Sequence, residues 1–474
     1  MTFAAFSPLN YSILGVYMFS VLLVGFLCTR KSESAEEYFL AGRNMPALVV
    51  AMSMFASLTS AVTFMGVPQI AYSDNVSVIL GVAVSPIVAP ILITLFYPVY
   101  WKNKVTTSYD YIALRFGERA RHTASGMFIL ARLGWLGTVI YAPSLALNIS
   151  TGIPVKLAIL LMGAVATVYT IFGGLKAVLW TDVLQFIVLV GGAIWIALGL
   201  GIEQGFANVI RASADAGKFD IFHFGIDFTK MTAVSAMVSF FLIFTHDYGV
   251  DQITVQRLIS VKSFRGLSGA VIFNSIVDVV INALLLFIGL GLFVKYAPSA
   301  LPDGINGAAI LPWHIVSSLP DGISGVMIAG IFAAAMSSMD SGLNSISTVI
   351  VNDFSRNPKK SDKAKVQAGR WLTLVFGIFA TVAAFYAGSI GHIVKAWSSF
   401  MALFAAPLLA LFVLGLLVKK ARFIDWLIVL PLTMSACLLL QKTQLHWIYI
   451  FPFSAISQFS VSLIAGAARR IFFR

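Results

Sequence analysis

The chain has 474 residues, 59% hydrophobic and only 11% charged, with a net charge of +12, and its mean hydropathy of +0.91 lies outside the balance of soluble globular chains. No nucleic-acid partner is expected, because the basic residues sit in short clusters between apolar runs rather than on one face or tail. Cys28 and Cys437 lie in separate apolar segments and form neither a metal spacing nor a disulfide framework.

A bilayer core takes about 20 apolar residues of helix. Runs of that kind occur near 10–28, 47–70, 77–100, 122–149, 154–173 and 178–202, followed by a polar stretch, 203–231. Further runs lie near 232–256, 266–294, 322–351, 368–388, 393–418, 423–440 and 445–467. The first run has no basic region before it and no small-residue cleavage pattern after it, so it reads as a retained span rather than a removed leader. The fold class predicted is therefore an all-α integral membrane protein of about 13 transmembrane helices, a single membrane domain without an internal linker.

Cytoplasmic loops favour Lys and Arg. With the N-terminus outside, the inner loops of the first half hold Arg30, Lys31, Arg43, Lys102, Lys104, Arg115, Arg119, Arg121, Lys176, Arg257, Lys262 and Arg265. In the second half Arg356, Lys359, Lys360, Lys363, Lys365, Arg370, Lys419, Lys420, Arg422, Arg469, Arg470 and Arg474 also fall inside, which makes most of the 32 basic residues. An external N-terminus, a cytoplasmic C-terminus and an odd number of spans follow. Without a targeting signal, a bacterial inner membrane is the expected location.

A charged side chain at mid-membrane costs roughly 2.5–3.5 kcal/mol on insertion scales, so ionisable residues within spans mark function. They are Asp182, Asp247, Asp251, Asp278, Asp340 and Arg132. The segment 331–345 places Ser337, Ser338, Asp340, Ser341, Asn344 and Ser345 in an otherwise apolar helix. Helical neighbours lie three and four apart, which puts Ser337, Asp340, Ser341 and Asn344 on one oxygen-rich stripe suited to a small hard cation. Serines alone also serve close helix packing; the carboxylate of Asp340 is what points to an ion. Two other spans lose their apolar continuity, at 54–63 with Ser57, Thr59, Ser60 and Thr63, and at 244–252 with His246, Asp247, Gly249 and Asp251. Five helices apart, they cross in opposite directions, and discontinuous helices at matching positions of two halves point to a transporter site.

The blocks Ser60–Pro68, Thr107–Phe116, Ile140–Asn148, Gly173–Asp182, Tyr248–Gln252 and Val255–Arg257, in this order and followed by the serine-rich helix, resemble the sodium:solute symporter family over essentially the whole chain. The resemblance implies a LeuT-type core of two inverted five-helix repeats, at 47–202 and 232–418. A leading helix and loop (1–46) would precede them, an extracellular loop (203–231) would join them, and two peripheral helices (419–474) would follow. It implies sodium-coupled symport of a small organic solute (a sugar, a sugar acid such as sialic acid, or a monocarboxylate) by alternating access, with one or two Na+ ions. The first sodium would be held by Ala56, Thr59, Ala334, Ser337 and Ser338. A second sodium or a proton would sit among Asp182, Ser337, Asp340 and Ser341, where Asp340 departs from the hydroxyl of relatives. Solute contacts are expected at Ser60, Thr63, Trp135 and Asp247. The arginine that grips the carboxylate in the known bacterial sialic acid symporter falls at Trp135, and its nearby glutamine at Val82. Arg132, one turn before Trp135, either serves a solute carboxylate or pairs with an acidic residue.

No repeated pore loop suggests a channel, and no HExxH or P-loop pattern suggests an enzyme. No catalytic residues are expected.

Overall fold

The computed structural model describes residues 6–29, 34–225, 227–297, 309–355, 361–387 and 398–472. Among these residues the fold is helical, with one isolated bridge between Met45 and Val261. Ten helices are long and apolar enough to cross a bilayer, and two bent pairs supply further crossings: Ala47–Leu58 with Ala61–Ser73, and Ala233–Gly249 with Gln252–Leu258. The helix Val155–Gln204 runs for 50 residues. At 1.5 Å per residue that is about 75 Å, more than twice the thickness of a hydrocarbon core. It is interrupted at Gly174 (φ 56°, ψ −157°), so its two parts count as two spans and the thirteen expected crossings are accounted for. Only glycine suits this kink, since a Cβ there would lie 2.5 Å from the carbonyl oxygen of Tyr38 as well as being held at positive φ.

Local chemistry explains where the observed helices depart from the expected runs. The third span, Val78–Lys102, is built from three short helices, two of which begin with proline in their first turn, at Pro86 and Pro98. Proline lacks the N–H that would continue the preceding ladder. The polar stretch after the sixth span is not simply a loop, since Phe206–Asp215 forms a helix with Val209 and Ser213 buried. The start of the eleventh span (393–397) and the basic residues Arg30, Lys31, Arg356, Lys359, Lys360 and Arg474 lie outside the described residues.

The bundle is apolar outside and polar within, as a lipid solvent demands. Val16, Phe19 and Phe26 of the first span, Ile202 of the sixth and Ile428 of the twelfth are exposed, facing what would be lipid. The ninth span, Ile323–Phe354, is buried without interruption from Met327 to Val349 and carries the serines, Asp340 and Asn344. It packs on the first, second, fourth, fifth and sixth spans. The chain thus encloses its most polar helix in protein, where each hydroxyl can find a partner.

Candidate ion and solute sites

The second and seventh spans break in the same way. The second bends by 63° at Thr59 and Ser60, and the Ser60 hydroxyl accepts the Thr63 N–H to start the next helix. The seventh bends by 53°, and the Asp251 carboxylate accepts the Ile253 N–H at 2.8 Å. Side-chain capping of the second half lets a helix stop and restart inside a membrane without stranding donors.

The freed carbonyls of the two breaks fare differently. In the seventh span, Tyr97 donates to the carbonyl of Tyr248 at 3.0 Å and Tyr100 to that of Gly249 at 2.6 Å. In the second, Ser338 of the ninth span donates to the carbonyl of Ser57 at 3.3 Å. Among the described residues no donor meets the carbonyls of Ala56, Leu58 or Thr59. All five residues expected at the first sodium site are buried: Ala56 and Thr59 beside the break, Ala334, Ser337 and Ser338 on the facing ninth span. Ser337 is already engaged, donating to Asp182 Oδ1 at 2.6 Å.

Behind this break lies a charged centre closed off from solvent. Asp182 Oδ2 accepts from Ser53 (2.5 Å), Ser57 (3.2 Å) and Arg257 Nη2 (3.2 Å). Arg257 also donates from Nε to Ser53 (2.8 Å), from Nη1 to the carbonyl of Ile253 (2.8 Å) and from Nη2 to Ser341. Ser341 lies 3.0 Å from Asp340 Oδ1, and Tyr169 of the fifth span donates to Asp340 Oδ2. One turn further along, Gln256 Nε2 holds Asn344 and Thr348, both at 2.9 Å, and the carbonyl of Phe39 at 2.6 Å. The four residues expected at a second ion site are therefore gathered as the sequence suggested, but with a resident guanidinium.

Arg257 is the correction here. Expected in a cytoplasmic loop, it is 1% exposed and lies within the bundle. The short helix Gln252–Leu258 turns it inward, and burial is tolerable because Asp182 supplies the opposite charge. Tyr169 was not expected either, although Ser53 and Ser57, one turn apart on an apolar helix, form a stripe legible in the sequence.

A cavity of about 270 Å³ opens beside the break. Ser60, Thr63, Trp135 and Asp247, the four expected solute contacts, all line it, together with Arg132 and Asn282. Arg132 does pair with an acid: its Nη2 is in direct contact with Asp251 Oδ2, and its guanidinium lies 4.9 Å from the Trp135 ring. Asp247 Oδ1 lies 2.9 Å from His246 Nδ1. Asp278, within the eighth span, accepts from Asn282 Nδ2 at 3.0 Å.

A multi-span bundle with two broken helices facing a polar one is the architecture of a secondary transporter. The model of the sodium:solute symporter family matches residues 38–423. The chain is 33% identical over 427 residues to a sodium/sialic acid symporter of Proteus mirabilis, covering 88% of this chain and 86% of that one. It is 30% identical over 406 residues to human sodium-coupled monocarboxylate transporter 2, covering 84% and 65%. A substrate-bound, outward-open Na+-coupled sialic acid symporter superposes with a TM-score of 0.91 at 31% identity over 98% of both chains. The nucleobase-cation-symport-1 transporter Mhp1 (TM-score 0.59, 17% identity, 93% and 96% covered) shares the fold.

The chain belongs to the sodium:solute symporter family. It is a multi-pass membrane transporter with a LeuT-type core, couples solute to sodium, and is not an enzyme.

Proposed function

We propose that the first sodium ion binds between the broken second span and the ninth, at Ala56, Thr59, Ala334, Ser337 and Ser338. The observation that carries this reading is the asymmetry of the two breaks. Tyrosines satisfy the carbonyls of Tyr248 and Gly249 in the seventh span, whereas those of Ala56 and Thr59 have no protein donor among the described residues and sit beside the Ser338 hydroxyl. Buried carbonyls require a partner, and a small hard cation is one. An ion there ties the broken helix to its neighbour and favours one conformation; coupling is that difference in affinity between conformations.

A second ion sits among Asp182, Ser337, Asp340 and Ser341, supported by a charge imbalance of two buried carboxylates to one guanidinium. Asp340 touches no basic side chain among the described residues and takes only hydroxyl donors, which favours a proton at this second place as the alternative to sodium. Solute, whether sugar, sugar acid or monocarboxylate, occupies the cavity at Ser60, Thr63, Trp135 and Asp247.

The whole chain acts as one transport domain with repeats at 47–202 and 232–418 and peripheral helices at 419–474. Its N-terminus is outside and its C-terminus in the cytoplasm of a bacterial cell, supported by the inner clusters of Lys and Arg. Transport runs inward. One sodium ion moving down a tenfold gradient and across 100 mV supplies about 3.7 kcal/mol, on the order of a 500-fold solute gradient, and two supply about 7.4 kcal/mol, on the order of 10⁵-fold.

Uptake of labelled sialic acids, hexoses, pyruvate and lactate into proteoliposomes, with sodium or potassium outside, tests the scheme. Sodium-driven uptake should fall in Ser338→Ala. Equal uptake in potassium would sink the sodium coupling proposed for both places, and if that uptake were driven by an inward proton gradient and lost in Asp340→Asn, the coupling ion would be a proton.

A further inference from the structure

The charge of the cavity restricts what it can carry. Among the described residues, Arg132 is the one basic side chain on its wall and Asp247 the one carboxylate. The arginine's charge is already matched, because Asp251 takes its guanidinium while the rings of Trp135 and Phe128 lie 4.9 and 5.7 Å from it. Asp251 is 1% exposed and also caps the restarted seventh span, so the pair is fixed in the scaffold. Asp247 keeps 18% of its side chain exposed, towards the cavity, and its recorded partner, His246, leaves its second oxygen available. Off the wall, the carboxyl group that accepts from Asn282, Asp278, is again an acidic one.

The solute therefore meets a net negative wall. A sodium ion at the first site brings the region near neutrality, which suits an uncharged occupant and gives no counter-ion to a carboxylate. The remaining polar atoms belong to Ser57, Ser60, Thr63, Thr138 and Asn282, spread around the space rather than gathered at one point, and Trp135, Trp447 and Phe240 add flat apolar faces. Dispersed hydrogen-bonding groups with aromatic faces match a ring that carries many hydroxyls, whose O–H groups donate to Asp247 and whose C–H faces lie on the aromatic rings.

We infer that this symporter selects an uncharged polyhydroxylated solute of sugar type and discriminates against carboxylates, unlike the relatives named for sialic acid and monocarboxylates. The inference rests on the cavity being the solute site. Like-charge juxtaposition costs several kcal/mol, so discrimination on the order of a hundredfold is expected.

Binding to the purified full chain in lipid nanodiscs, followed by tryptophan fluorescence in sodium and in potassium, tests it. The probes are D-glucose, D-galactose and myo-inositol against pyruvate, L-lactate and N-acetylneuraminate. Sodium-dependent binding of at least one polyol, about a hundredfold tighter than every carboxylate and weakened about tenfold in Asp247→Asn, supports the inference. Tighter binding of a carboxylate, or no binding by any of the polyols, overturns it. Thr63→Trp, which fills the cavity, separates the two readings: carboxylate binding abolished by it sinks the charge argument and leaves the cavity standing. Binding that survives Thr63→Trp removes the cavity itself.

Discussion

Two groups of the same composition, two aspartates and one arginine, lie in this protein within different surroundings. Asp182, Asp340 and Arg257 are at most 1% exposed and are enclosed by serine and tyrosine hydroxyls. Asp247 and Arg132 border a cavity, with Asp251 buried against the arginine, and Asp247 reaches into the space. In each group one carboxylate neutralises the guanidinium and the other is left over. Enclosure decides what the remaining charge can hold: within the bundle only a bare ion or a proton can reach it, whereas in the cavity a solute can. The environments proposed for the ion and for the solute are thus separated by packing, although their chemistry begins alike.

The largest test of this contrast is Arg257→Met. Removing one partner of a fully buried pair strands the other charge at a cost of about 3–5 kcal/mol, so the variant should unfold well below the parent in a thermal melt and yield little protein. Adding Asp182→Asn should recover much of that loss, and a single variant as stable as the parent would break the comparison.

Arg132→Met should cost less, about 1–3 kcal/mol, because Arg132 borders the cavity and water entering beside the uncharged side chain can reach the stranded Asp251. Its melt should shift modestly while solute binding fails. Equal loss in both arginine variants would mean that the two groups are equally dry.

Ser338→Ala should leave folding nearly intact and weaken sodium affinity about fivefold to tenfold, the worth of a hydrogen-bond-sized interaction of about 1 to 1.4 kcal/mol. Titrating sodium against the fluorescence of the folded protein measures it. The smallest effect belongs to Lys420→Gln, an exposed residue between the eleventh and twelfth spans, expected within about 0.5 kcal/mol of the parent. A large shift there would mean that solvent-facing charge contributes to the fold as much as the enclosed groups do.

Much of this arrangement is legible along the chain. Runs of about 20 apolar residues locate the spans because a bilayer has one thickness. Interruptions at Thr59–Ser60 and Gly249–Asp251 locate the breaks because capping residues and glycine are local signals, and Asp340 stands out by its cost in an apolar helix. The four proposed solute contacts are likewise legible as polar or aromatic residues at membrane depth, and one cavity brings them together.

Partnership was not legible. Arg257 follows an apolar span and precedes Lys262 and Arg265, the pattern of a cytoplasmic loop, yet it turns inward to an aspartate 75 residues away. Arg132 offered two roles that its own span could not separate, and the position of the break in the seventh span chose one of them. The sequence by itself determined where the chain crosses the membrane, where its helices stop and which residues are costly to bury. Only the tertiary structure decided which charge each of them meets, because Coulomb energy depends on the distance between spans and on the water left between them, and neither is encoded in any one helix.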